Sequence, residues 1–146
     1  MEPRDIAIAI ARGRIALGAA ALVAPRLAGR IMFGRDGSRT GTRVLARMIG
    51  GRDLALGLGV VIALDRGAPV RGWLEAGALA DGIDLATCTL ARDELPEATF
   101  LGVVATAGAA ALAGILLSRR LDPPPAASPG HPEAIATGHS QEPAAS

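Results

Sequence analysis

Aromatic side chains are nearly absent from this sequence. Its 146 residues include two Phe, one Trp and no Tyr, at Phe33, Phe100 and Trp73. A soluble core of this length draws much of its buried area from aromatic rings, so the shortage argues against an ordinary water-soluble domain. It also excludes a platform for single-stranded nucleic acid, which needs several exposed rings to stack bases. A net charge of +1 gives no bulk basicity for nucleic acid either. One cysteine, Cys88, excludes an internal disulfide and a cysteine-cluster metal site. The two histidines, His131 and His139, stand near the C-terminal end. The hydrophobic body therefore has no imidazole for haem, for a metal or for a Ser–His pair. No cofactor, metal or catalytic residue is expected, and no constellation supports an enzyme.

Lys and Asn are missing as well, and all fifteen basic residues are Arg. That bias is typical of GC-rich coding sequence. What remains is half hydrophobic and rich in Ala and Gly, with 19 Gly. Small residues at this density suit helices packed closely in lipid, where backbones approach and van der Waals contact replaces the hydrophobic drive.

Twenty residues without a charge run from Ala98 to Leu117. That matches the roughly 20 needed to cross about 30 Å of hydrocarbon. Pro96 and Glu97 suit its start, and Arg119 and Arg120 suit an interfacial stop. Three weaker segments precede it. One, near 6–24, carries Arg12 and Arg14. The next, near 44–64, carries Arg47, Arg52 and Asp53. The third, near 70–91, carries Arg71, Glu75, Asp81 and Asp84. Each is long enough to span if its charges are hidden from lipid. A cleaved signal peptide competes for the first segment. Leu22 stands where a small residue is wanted, and Pro25 would follow the cut, which weighs against cleavage.

The expected fold is all-α: a four-helix transmembrane bundle over residues 1–121, with helices near 6–24, 44–64, 70–91 and 97–118. Residues 122–146 read as a disordered Pro/Ala-rich tail. Between the first two helices, Pro25 to Phe33 fits either an ordinary basic loop or a short helix lying at the headgroups. Small residues recur every fourth position in each long helix, so each run shares a face. The runs are Ala16, Ala20, Ala24 and Ala28; Gly51, Ala55, Gly59 and Ala63; Gly72, Ala76 and Ala80; and Ala98, Gly102, Thr106, Ala110, Gly114 and Ser118. The last is the longest. Its Gly102, Thr106, Ala110 and Gly114 could pair with a second copy or another membrane protein, the lipid bilayer being the other expected partner.

A charge near the bilayer centre costs about 2.5–3.5 kcal/mol on insertion scales, so several of them demand partners. Helices two and three join at a turn near Ala68. Arg52 lies sixteen residues before Ala68 and Asp84 sixteen after it, so an antiparallel hairpin sets them at equal depth. Asp81 is a helical neighbour of Asp84. Arg14 has a similar depth in the first helix. With Arg12 counted, three Arg face Asp53, Asp81 and Asp84. The expected site is therefore an intramembrane ion-pair cluster of Arg14, Arg52, Asp53, Asp81 and Asp84. Its role is either to fix helix register or to titrate or bind a solute through Asp81 or Asp84. The first makes the protein a non-enzymatic scaffold or accessory subunit, the second a small proton or solute transporter. Arg47 and Glu75 lie nearer the helix ends, where they can snorkel, and Cys88 reads as a small packing residue.

The stretch Arg47-Met48-Ile49-Gly50-Gly51-Arg52-Asp53-Leu54-Ala55-Leu56-Gly57, with Trp73 and Ala80 to Asp84, resembles an uncharacterised family of small four-helix bacterial membrane proteins. That family is a domain of unknown function common in high-GC bacteria. The resemblance covers about Ala11 to Leu117, its Gly-x-Arg-Asp-x-x-Leu-Gly core being the specific part. It implies a multi-pass protein of the cell membrane and supplies no catalytic residues. Asp81-x-x-Asp84 with Arg92 is also similar to the metal motif of the CDP-alcohol phosphotransferases. Here Leu85 replaces the required Gly, Ala91-Arg92 falls three residues late and the second Asp pair is missing. Two carboxylates do not build that two-metal site. Orientation stays open, because five Arg at one end against six at the other gives no usable bias.

Overall fold

The computed structural model describes residues 2–122, apart from the side chain of Arg35, and all of its regular structure is helical. The expected tail, with His131 and His139, lies outside the described residues save for Asp122. Five α-helices follow in chain order: α1 (Pro3–Val23), α2 (Pro25–Phe33), α3 (Thr40–Asp65), α4 (Arg71–Leu90) and α5 (Glu97–Leu121). A 3-10 turn at Gly34–Ser38 joins α2 to α3, and another at Arg92–Glu94 joins α4 to α5. Pro25 begins α2 directly after α1, which resolves the loop-or-helix alternative in favour of a helix. Pro suits that first position because its fixed φ is helical and its missing N–H would go unpaired there.

The helix ends are fastened to one another. Gly67, at φ +62°, closes α3 as only a residue comfortable in the left-handed region can. Ala68 N–H then bonds the Ala63 carbonyl at 2.8 Å and Gly67 N–H the Leu64 carbonyl at 3.4 Å. Arg4 donates to the same Leu64 carbonyl at 3.1 Å, so α1 helps cap α3. Asp122, just past α5, accepts hydrogen bonds from the backbone N–H groups of Val70 and Arg71. A carboxylate there meets the orphan donors and the positive end of the α4 dipole. At the other end of the bundle, Thr99 of α5 donates to the Met32 carbonyl of α2 at 2.7 Å.

Two close helix pairs, α1 with α3 and α4 with α5, pack side by side to form the bundle. Glycine makes the first pair possible. A Cβ on Gly18 would lie 2.5 Å from the Gly50 carbonyl oxygen, and one on Gly57 would lie 2.6 Å from that of Ala11. Gly114 plays the same part between α5 and α4, 3.0 Å from the Leu74 carbonyl oxygen. Gly59 leaves room for the Trp73 ring between α3 and α4.

The packing faces differ from the four-residue runs read in the sequence. In α1, Ala16 and Ala20 are exposed, and the buried residues are Ala7, Ala11 and Gly18. In α3, Gly59 and Ala63 are buried but Ala55 is exposed, while Ala46, Gly50 and Gly57 carry the contact. Gly72 and Ala76 of α4 are exposed, and Leu74, Gly77, Ala78 and Asp81 face inward. The long run of α5 divides. Gly114 and Ser118 are buried within the chain, whereas Gly102 and Thr106 stay exposed. Gly114 is therefore already used against α4. In a chain this rich in Ala and Gly, such runs arise on every face.

Only α1 and α5 are both long enough and apolar enough to cross a membrane by composition among the described residues. The charges of α3 and α4 set those helices apart, and four of them, Arg52, Asp53, Asp81 and Asp84, are drawn together between the helices.

Candidate functional site: an alternating Arg–Asp string

Five charged side chains from three helices meet near the mid-length of α1, α3 and α4. Arg52 of α3 grips Asp84 of α4 with both terminal nitrogens, at 2.9 and 2.7 Å. Such a fork-to-carboxylate pair is the most directional ion pair available to a protein. Arg52 also stands 3.5 Å from Asp53, its chain neighbour. Asp53 takes a second partner, Arg14 of α1, at 2.8 Å. Arg14 in turn bonds Asp81 of α4. The order Asp84, Arg52, Asp53, Arg14, Asp81 alternates in sign from end to end.

Burial deepens along that order. Side-chain exposure is 34% for Asp84, 30% for Arg52, 19% for Asp53, 14% for Arg14 and 8% for Asp81. The string enters from the α3–α4 surface and ends in the interior. Local sequence explains how each member arrives. Asp81 and Asp84 are three apart, so they share one face of α4. Arg52 and Asp53 are adjacent and diverge around α3, one towards α4 and the other towards α1. Arg14 continues the inward face of Ala7, Ala11 and Gly18. It passes beside buried Gly77, where an added Cβ would sit in ordinary contact with the guanidinium at 3.5 Å.

Of the charges singled out in the sequence, Arg14, Arg52, Asp53, Asp81 and Asp84 come together. Arg12, counted there to balance the charges, does not. It is exposed on the opposite side of α1. Residues two apart on a helix differ by about 200° of rotation, so Arg12 and Arg14 cannot share a face. The string thus holds three aspartates against two arginines. Glu75 pairs with Arg71 one turn away, at 2.7 Å, and Cys88 is half-buried.

A cavity of about 20 Å³ lies beside the inner end of the string, bordered by Ala7, Ala11, Arg14, Val60, Trp73 and Gly114. It has room for one water molecule. No group of three or more His, Cys, Asp or Glu arranged to hold a metal occurs among the described residues. Sequence reasoning missed the capping contact of Asp122, read only as the first residue of the tail. The chain matches no family model, no curated protein and no solved structure.

Proposed function

We propose that this is a small multi-pass protein of the cell membrane in which α1, α3, α4 and α5 all cross the bilayer. Its role is non-enzymatic, that of a scaffold or accessory subunit whose helices are held in register by the Arg–Asp string. Kinship with the small four-helix bacterial membrane proteins it resembles is part of this reading. The observation that carries it is an inverted distribution of side chains. Six of the ten buried apolar residues are Ala, and the interior also takes up Asp81. Outside, eighteen large apolar side chains are exposed, among them Leu17, Ile31, Met48, Leu79, Leu101 and Leu112, each more than half exposed. Water-soluble monomers rarely expose contiguous apolar surface on this scale. In lipid the same surface is the favourable solvent contact, and small residues inside give the close packing such bundles use. Charges at mid-depth must then face inward and pair.

The geometry of the string supports a register-fixing role, because sliding α4 by one turn breaks at least one of the Arg52–Asp84 and Arg14–Asp81 pairs. The test is a charge exchange. Arg52→Asp and Asp84→Arg should each cost roughly 3–5 kcal/mol by leaving unpaired or like charges inside. The double variant should recover a large part of that loss in thermal melts of the reconstituted protein. Losses that simply add would contradict a register role for the pair.

A further inference from the structure

Between Ala24 and Gly51 the chain carries six arginines and one carboxylate: Arg26, Arg30, Arg35, Arg39, Arg43 and Arg47 against Asp36. All belong to α2, the 3-10 turn and the first two turns of α3, at one end of the bundle. Asp36 pairs with Arg39 at 3.1 Å, with both side chains well exposed. Arg43 reaches the Thr40 hydroxyl at 3.0 Å. Arg26, Arg30 and Arg47 are exposed and form no ion pair or hydrogen bond among the described residues. The other acids at this end stand elsewhere, Asp93 and Glu94 on the α4–α5 connection and Glu97 at the start of α5.

Large apolar residues of the same segment are exposed beside the basic ones. α2 seats Pro25 and Gly29 against the bundle. Gly29 meets Gly37 so closely that a Cβ would lie 2.6 Å from the Gly37 carbonyl oxygen. That contact fixes which sides of α2 are free. Leu27 and Ile31, 60% and 74% exposed, form one flank, and Arg26 and Arg30 form the next. At the start of α3, Val44, Leu45 and Met48 are exposed as well, with exposed Arg47 among them. A soluble anion would satisfy the arginines but leave the leucine and isoleucine in water. A lipid surface satisfies both flanks, with acyl chains against Leu27 and Ile31 and phosphate against the guanidinium groups.

We propose that α2 and the start of α3 form an interfacial binding surface for anionic lipid headgroups, selective for them over zwitterionic ones. The inference rests on the membrane reading above. It gives that reading a lipid preference and assigns α2 to the plane of the interface.

The full chain in a neutral detergent is titrated separately with phosphatidylglycerol, phosphatidylcholine and inorganic phosphate, and its Tm is followed. Phosphatidylglycerol should raise Tm, and the other two should leave it in place. In the triple variant Arg26→Gln, Arg30→Gln, Arg47→Gln, which removes only unpaired exposed charges, the same shift should need at least about tenfold more phosphatidylglycerol, since each arginine near a lipid surface is worth roughly fivefold in affinity. A control, Arg66→Gln, Arg119→Gln, Arg120→Gln at the opposite end, should keep the native response. Equal shifts with phosphatidylcholine, a shift reproduced by inorganic phosphate, or an equal loss in the control would each overturn the proposal. Alkaline carbonate extraction of membranes separates the two claims. A chain that stays in the pellet yet shows no lipid selectivity refutes this surface alone, whereas a chain released into the supernatant refutes the membrane reading beneath it.

Discussion

Arg14 and Arg52 look equivalent in the sequence, each a guanidinium near the middle of a largely apolar helix. Their surroundings separate them. Arg14 holds two carboxylates, Asp53 and Asp81, that are 19% and 8% exposed. Arg52 closes mainly on Asp84, which is about a third exposed. Arg14→Leu therefore leaves Asp81, the most buried acid, without a partner and Asp53 with only its longer contact to Arg52, and should cost about 3–5 kcal/mol. Arg52→Leu should cost less, about 2.5–3.5 kcal/mol, because it strands one carboxylate, the less buried Asp84, while Asp53 keeps Arg14. Chemical denaturation in micelles would rank them, and a larger loss at Arg52 would contradict the burial gradient. Much of this arrangement was legible in advance. Counting sixteen residues each way from Ala68 brings Arg52 to Asp84, since residues equidistant from the centre of a short connection lie at equal depth in an antiparallel pair. The bridging position of Asp53 between two arginines was not legible, because it depends on how α1 rotates against α3. The exclusion of Arg12 could have been read from helical geometry alone.

At the scale of helices, glycine positions decide the packing, and they divide into two kinds. Gly18 lies against backbone, 2.5 Å from the Gly50 carbonyl oxygen and 2.7 Å from Leu54 N for an added Cβ, while Gly51 has nothing within 4 Å. Gly18→Ala should force α1 and α3 apart and cost roughly 1–3 kcal/mol. Gly51→Ala should be neutral or stabilise by about 0.5–1 kcal/mol, since Ala gives up less backbone entropy in a helix. Comparing the two melting temperatures checks the interface, and equal behaviour would contradict it. The sequence showed the helices but not their faces. Spacing of four selected Ala16 and Ala20 over Ala7, Ala11 and Gly18, because abundant Ala supplies a run on any face. The face of α1 that turns inward is the one carrying Arg14 with Ala7, Ala11 and Gly18, while Arg12, two residues away, points outward, so the charges of α1 alone did not select the face. The helix ends were harder still. Asp122 caps α4 from the far end of the chain, a contact that no local pattern announces.

For the molecule as a whole, the question is which solvent surrounds the bundle. α1 and α5 are apolar enough to span by composition, and α3 and α4 carry charges that turn inward. Arg12 is the exception, exposed in the middle of α1. On a lipid-facing surface it can only snorkel. Arg12→Leu should then stabilise the protein in bilayers, by at most the 2.5–3.5 kcal/mol or so that a central charge costs on insertion scales. On a water-facing surface the same change would add one more exposed apolar residue and promote aggregation. Trp73 gives the most direct test. It is the chain's single tryptophan, 43% exposed, with its ring seated over Gly59. Its fluorescence, measured in vesicles whose acyl chains carry bromine, reports contact with lipid and nothing else in the protein. Strong quenching by brominated acyl chains, with little effect from an aqueous quencher, is the result expected of a bundle that faces lipid. Fluorescence untouched by bromine and readily quenched from water would contradict it.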